Sequence, residues 1–416
     1  MPSPPLPPHD DPGRPSARIL FVDDEPLVLR ALKRVLFRYV DDWEMAFAES
    51  GAEALEILAS AEHDVIITDM RMPGMDGAEL LAEVVARHPA TARVVLTGHT
   101  ELSAALRALP LAHQLLAKPS DPRQLVDTLA TLRRLVRLVP HRRARKLVGR
   151  VTALPSRPEV LASLRCAGPA AGVEGLTALV ARDLGASAKL LQVVNTEYLG
   201  VGRMVFRPED AVSGLGATMV DELVRAPGFL APYEPAEDST FSLAARCRHA
   251  RDTARLAEAL APPPLRDAAS LAGLLHDVGD LVYALQAPAL LAPIARDAGT
   301  IGSRSARERA ALGCTHAELG GYLLGLWGFP APIVEAVSAH HTPLGEDGGA
   351  DAAAAPSGAG QQLAAIVRLA DALTHAVTGE ATLAELVEPA LWRAVAPDAT
   401  ADGLVDLAHR HLEPSP

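Results

Sequence analysis

Cysteine is nearly absent. Cys166, Cys247 and Cys314 are the only three in 416 residues, they lie far apart, and none forms a Cys-x-x-Cys pair. A disulfide framework is therefore excluded, and three reduced, partly buried thiols in a reducing compartment are expected. Aromatics are scarce, at 4% of the chain, while alanine and leucine dominate, which favours helix over an all-β design. No segment supplies the roughly 18 uninterrupted apolar residues of a membrane span. The N-terminal stretch, MPSPPLPPHDDPGRPS, lacks the apolar core of a signal peptide. A cytoplasmic protein with no membrane attachment is the expectation. Excess positive charge is also missing. The formal net charge is −12, so bulk electrostatics speak against a general nucleic-acid binder.

What remains is organised. Residues 1–16 are proline-rich and read as a disordered tail. From Ala17, apolar runs of strand length alternate with amphipathic stretches of helix length. The runs are Arg18–Val22, Met45–Ala48, Asp64–Thr68, Arg93–Thr97 and Gln114–Ala117, with helical patterns near 27–38, 51–60, 78–88, 101–108 and 122–137. Near-continuous apolar strands separated by helices predict an α/β domain over 17–137, with a five-stranded parallel sheet covered on both faces. Residues 138–150 form a basic linker, part of a stretch from Arg133 to Arg150 that holds no acid. It reads as a solvated helix extension, or as a docking surface for an acidic partner or nucleic acid. Residues 151–416 read as an all-α output domain, interrupted by a Gly/Ala/Asp-rich loop from Pro343 to Gly360.

In an open parallel sheet, ligands bind beyond the carboxyl ends of the strands. There the sequence places Asp23 and Asp24 after the first strand, Asp69 at the third, Thr97 at the fourth and Lys118 at the fifth. Three clustered carboxylates raise one another's pKa unless a cation neutralises them, and Mg²⁺ suits an all-oxygen site. One carboxylate could then accept a phosphoryl group, with metal and lysine stabilising the charge in transfer.

These stretches resemble the response-regulator receiver family: Val22-Asp23-Asp24-Glu25-Pro26, the run from Thr68 to Gly77, Leu96-Thr97-Gly98 and Lys118-Pro119. The resemblance implies the strand order 2-1-3-4-5 and a doubly wound, flavodoxin-like fold. It implies that Asp69 is the phosphoacceptor, that Asp24, Asp69 and the carbonyl of Arg71 bind Mg²⁺ with Asp23 nearby, and that Thr97 and Lys118 engage the phosphoryl group. It also suggests a cis peptide at Lys118-Pro119. The aromatic switch residue common three positions before the lysine is replaced by Leu115.

In the second half, His249, His276-Asp277, His316, His340-His341 and Asp371 each lie in or at the end of a different helical pattern. Histidine and aspartate converging from several helices is how a bundle builds a metal site, and imidazole with carboxylate suits Fe, Mn, Zn or Ni. Thr315 and Glu318 form a capping-box pattern that puts His316 in a first helical turn. Gly279 is expected to end the helix before it, Asp280 is a neighbouring carboxylate, and His375, His409 and His411 read as caps or solvated side chains.

This order of residues resembles the HD superfamily of metal-dependent phosphohydrolases, and within it the HDOD domain of signalling proteins. The supporting stretches are Leu190–Asn195, Glu209–Gly216, His276–Gly279, His316–Pro330 and Ala339–His341. The resemblance implies a signalling and protein-interaction module. The chain departs from the catalytic HD-GYP branch, since Asp280 stands where that family carries lysine and Thr342-Pro343 follow the histidine pair. The combined expectation is a response regulator of a two-component phosphorelay, phosphorylated by a sensor histidine kinase and controlling an HDOD output domain with an unnamed downstream protein partner. A receiver-gated, metal-dependent phosphodiesterase or phosphohydrolase is the alternative, and a homodimer stays open.

Overall fold

The computed structural model describes residues 17–37, 43–98, 102–118, 122–196, 198, 203–235, 241–290, 301–343, 358–379 and 382–412. The expected tail, most of the expected loop (344–357) and Pro119 lie outside the described residues.

The first unit alternates β1 (Ala17–Val22), α1 (Pro26–Leu36), β2 (Trp43–Ala48), α2 (Gly51–Ser60), β3 (Val65–Asp69), α3 (Gly77–Arg87), β4 (Ala92–Gly98), α4 (Leu102–Ala108), β5 (Gln114–Lys118) and α5 (Pro122–Leu138). The five strands are parallel in the order β2-β1-β3-β4-β5, as expected. Local chemistry starts the helices. Pro26 takes the first position of α1, and the Ser50 hydroxyl accepts the Glu53 amide at α2. Asp76 and Glu79 close a capping box on α3, just past the end of β3.

The basic stretch is a helix, α6 (Arg142–Gly149), laid on the first unit. Ala144 and Val148 are buried, and Arg142 and Arg145 pair with Glu62 and Asp64. Arg93, fully buried in β4, donates to the Gly149 carbonyl at 3.0 Å.

The second unit is helical, as expected: α7 (Pro158–Ala167), α8 (Gly172–Val180), α9 (Leu184–Val194), α10 (Pro208–Arg225), α11 (Leu243–Leu260), α12 (Arg266–Leu275), α13 (Val278–Gln286), α14 (Ile301–Leu312), α15 (His316–Leu326), α16 (Ala331–Ala339), α17 (Ala359–Val377), α18 (Leu383–Leu386), α19 (Pro389–Val395) and α20 (Ala401–His411). Two three-residue strands, β6 (Leu154–Ser156) and β7 (Leu230–Pro232), pair in parallel, a detail too short to leave a period in the sequence. Gly216, at φ 78°, breaks α10 midway.

One expectation fails. Gly279 does not end a helix but lies in the first turn of α13, where a Cβ would stand 1.9 Å from the His316 carbonyl oxygen. The glycine is there because α13 and the start of α15 touch backbone to backbone. That contact places Asp277 beside His316.

The two units share a face. Leu115 joins Ala105, Leu106 and Leu109 of the first unit against Val193, Tyr198, Met219 and Leu223 of the second. Gln114 donates to the Leu326 carbonyl at 3.0 Å.

Candidate functional site

At the carboxyl edge of the sheet, three of the expected residues meet directly. The Lys118 ammonium lies 2.9 Å from Asp23 Oδ2 and 2.5 Å from Asp69 Oδ1. Burial raises the Asp69 carboxyl pKa; Lys118 works against this and the Asp23 charge adds to it. Burial opposes the charge on Lys118, but its bonds to Asp69 and Asp23 outweigh this and raise its pKa. Thr97 is fully buried at the end of β4. An open groove of about 490 Å³ adjoins, lined by Asp24, Met70, Arg71, Pro73, Asp76 and Arg107 among others. Crowded carboxylates facing an open groove fit a hard divalent cation such as Mg²⁺.

All seven expected residues of the second unit also come together. His249 Nε2 lies 3.0 Å from Asp371 Oδ1 and 3.3 Å from His276 Nε2, while His276 Nε2 is 3.8 Å from Asp371. On the other side, His316 Nε2 lies 3.3 Å from Asp277 Oδ1 and 3.2 Å from His341 Nε2, with His340 Nε2 3.8 Å from Asp277 Oδ1. The residues thus form two groups, His249/His276/Asp371 and Asp277/His316/His340/His341, whose ligand atoms lie within 4.8 Å of one another in each. Asp277 spans both. Its Oδ1 faces the second group, and its Oδ2 stands 3.5 Å from His276 and 3.9 Å from His249.

The tautomers are decided by what lies behind the rings. His276 Nδ1 bonds the Gly273 carbonyl and His340 Nδ1 the Val337 carbonyl, each at 2.7 Å. Both Nδ1 atoms therefore donate, and both Nε2 atoms present lone pairs inward. His340 Nε2 is buried with no hydrogen-bond partner. His316 Nδ1 is bonded to Glu308 at 2.8–2.9 Å. Two nitrogens bound to one tetrahedral ion at about 2.0–2.1 Å stand about 3.3 Å apart, close to the separations of the two Nε2 pairs. The donor set fits a borderline transition metal in each group.

The electrostatics are mixed: burial and Arg304 work against charge on His316, but Glu308 and Asp277 outweigh them and raise it to about 9, so a metal has to displace its proton. Burial works to raise the Asp277 pKa, yet His276, His316 and Arg246 outweigh it and hold it well below the usual carboxylate range. Burial depresses His340 to about 3, keeping it neutral as a ligand must be.

Three neighbours escaped the sequence reading. Glu308 on α14 is fully buried and orients His316, but nothing marks it among the charged residues of its helix. Arg246 on α11 donates to Asp277 at 2.8 Å. His375 is not a solvated cap. It lies 3.3 Å from Asp371 and packs on the His249 ring, because its four-residue spacing on α17 puts it on the face of Asp371. That spacing was the available signal. A third acidic group, Asp280 with Glu308 and His316, is already engaged by Arg304, which pairs with both carboxylates.

Comparison with known proteins identifies two domains. The response regulator receiver domain matches residues 19–130 and the HDOD domain matches residues 154–343. The chain is a response regulator, with a receiver domain ahead of an HDOD domain. It is similar to the DNA-binding transcriptional regulator NtrC of Escherichia coli K12, at 47% identity over 74 residues, 18% of this chain and 16% of that one. It also resembles the response regulator protein PilR of Pseudomonas aeruginosa, at 36% identity over 119 residues, 28% of this chain and 26% of that one. In both cases the response regulator spans under a third of the relative's length. Among solved structures, a signal receiver domain of an HD domain-containing protein from Pseudomonas fluorescens Pf-5 is 31% identical, covering 29% of this chain and 96% of that one, with a TM-score of 0.28. Among the described residues, no helix is long and apolar enough to cross a membrane.

Proposed function

We propose that a sensor histidine kinase phosphorylates this response regulator on Asp69, and that the phosphoryl group controls an HDOD output domain which holds transition metal and signals to a downstream protein. Asp69 is the acceptor because it is the carboxylate at the end of β3 that Lys118 contacts and the groove adjoins. Mg²⁺ would be held by Asp24, Asp69 and the Arg71 carbonyl, with Asp23 beside them, and would supply charge neutralisation for phosphoryl transfer. Lys118 would bind a phosphoryl oxygen, and the Thr97 hydroxyl would report it.

The observation that carries the output half is the inward lone pair of His340, buried without a partner among six other ligand-type side chains. His249, His276 and Asp371 would hold one ion, and His316, His340 and His341 another, with Asp277 between and His375 beside Asp371. Bound metal would supply Lewis acidity and an activated water. That chemistry favours a second reading, hydrolysis of a phosphate ester by the output domain, because Asp277 reaches both groups as the shared carboxylate of a two-ion site does.

The receiver half is tested with acetyl phosphate and Mg²⁺. The wild type takes up one phosphoryl group and Asp69→Asn takes up none; equal labelling of the two proteins would refute the assignment. Turnover of bis-p-nitrophenyl phosphate by the metal-loaded protein, lost in Asp277→Asn, would favour the hydrolytic reading over the interaction module.

A further inference from the structure

The HDOD cluster has a cationic rim that the metal ligands do not explain. Arg246 stands on α11, three residues before His249. Its Nη1 donates to Asp277 Oδ2 at 2.8 Å and its Nε is ion-paired with Asp280 at 3.3 Å. Arg304, from α14, pairs with Asp280 and Glu308. Asp280 is 1% exposed, so a carboxylate has been buried between two guanidinium groups. Both arginine side chains remain partly exposed, whereas His276, His316 and His340 are fully buried beneath them. Arg246 thus reaches Asp277 from a partly exposed position, while Arg304 stands behind His316 with Glu308.

Charge counting shows what this arrangement can accept. Four carboxylates, Asp277, Asp280, Glu308 and Asp371, outnumber Arg246 and Arg304, a surplus that disfavours an anion. Two divalent ions reverse the balance to two positive charges, the complement of a hydrogenphosphate dianion. The hydrogen bonding changes in the same sense. Asp277 Oδ2 faces both His276 and Arg246, so a metal ion there competes with the guanidinium for the same oxygen. Arg246 then keeps its Nε on Asp280, while its Nη donors are released beside the metal position. A planar fork, fixed at one edge and free at the other, suits bidentate capture of a phosphoryl group.

We propose that Arg246, held by Asp280 and backed by Arg304, is the phosphoryl-binding group of the HDOD domain, engaged only when Asp277 is committed to metal. This inference rests on the metal reading above. The ligand class is a phosphate dianion, either inorganic phosphate or a phosphate monoester.

The test is calorimetric titration of the full chain with inorganic phosphate, phenyl phosphate and acetate, in Mn²⁺-loaded and EDTA-stripped forms, with metal content measured on each sample. Phosphate binds the loaded wild type and not the stripped protein, and acetate binds neither. Tighter binding of phenyl phosphate identifies a monoester as the ligand, and tighter binding of inorganic phosphate identifies the free ion. Arg246→Gln loses about tenfold or more in phosphate affinity, the contribution of a charge-assisted hydrogen bond. It keeps its metal, because Asp277 has lost a competitor. Arg246→Lys, a point charge without the fork, binds phosphate at an intermediate level. Equal phosphate binding by wild type and Arg246→Gln overturns the inference alone. Loss of both metal and phosphate in Arg246→Gln overturns it too, by showing a structural role. A wild type that takes up no metal overturns the metal reading and the inference together.

Discussion

Gln114 of β5 donates to the carbonyl of Leu326, the last residue of the helix whose first residue is His316. One helix of 11 residues, about 16 Å long, therefore joins the receiver to the His/Asp cluster. Its tight end is Gly325, where a Cβ would stand 2.3 Å from Leu135 of α5. Leu115, in place of the aromatic switch residue, is buried against the same output domain. A shift of β5 or α5 on phosphorylation has a rigid element to push on.

Gly325→Ala should force this contact apart. Overpacking of this kind costs about 1–3 kcal/mol, read as a lower denaturation midpoint. Susceptibility of the domain junction to proteolysis should rise as well. A variant with wild-type stability and wild-type protease resistance would show that the close approach carries no strain.

Substitution of Lys118 and of Thr97 should separate transfer from response. Lys118→Ala removes the cation between Asp23 and Asp69, and labelling by acetyl phosphate should slow on the order of 10²-fold, the usual loss for one charge-stabilising donor. Thr97→Ala leaves the acceptor intact, so labelling persists while any phosphorylation-dependent change in protease resistance disappears. A Thr97→Ala protein that still responds would remove the hydroxyl from the switch.

The receiver was legible from its sequence because its chemistry is local. Each candidate side chain lies at or just past the end of a strand, so strand period and motif place Asp23, Asp69, Thr97 and Lys118 on one edge without any knowledge of packing. The candidate metal ligands were legible as types, but their convergence depends on helix contacts such as Gly279 against His316, which leave no periodicity. Glu308 and Arg246 were invisible for the same reason: each looks like an ordinary helix charge until a second helix brings its partner. His375 could have been found, since it sits one turn from Asp371.

A buried lysine makes stability depend on pH. Lys189 lies between Phe229 and Trp327, bonds Gln192 at 2.8 Å, and burial depresses its pKa to about 7. The unfolded chain binds this proton below about 10.4, the folded chain only below about 7. Stability is therefore full above the unfolded value and falls as pH drops toward 7, by about 1.4 kcal/mol per unit at most. Lys189→Met should be more stable than the wild type at pH 7.5 and flatten the dependence between pH 7.5 and 9.5 in chemical denaturation. An unchanged slope would mean that the ammonium stays charged.

Glu308 holds His316 from behind. Glu308→Gln keeps the shape but removes the charge that raises the ligand's basicity. Metal affinity should fall about 10- to 100-fold, read by competition with a chelating dye. Glu308→Asp should recover part of the loss. Unchanged affinity in Glu308→Gln would assign the residue to the ion pair with Arg304 alone.

The central claim is that the HDOD domain of this response regulator holds transition metal, and elemental analysis of the purified full chain addresses it directly. Wild-type protein should carry one to two equivalents of Fe, Mn, Zn or Ni, and His276→Ala and Asp277→Ala should lose most of it while Asp69→Asn keeps it. A wild type free of transition metal, or equal metal in the wild type and in both cluster variants, would contradict the account.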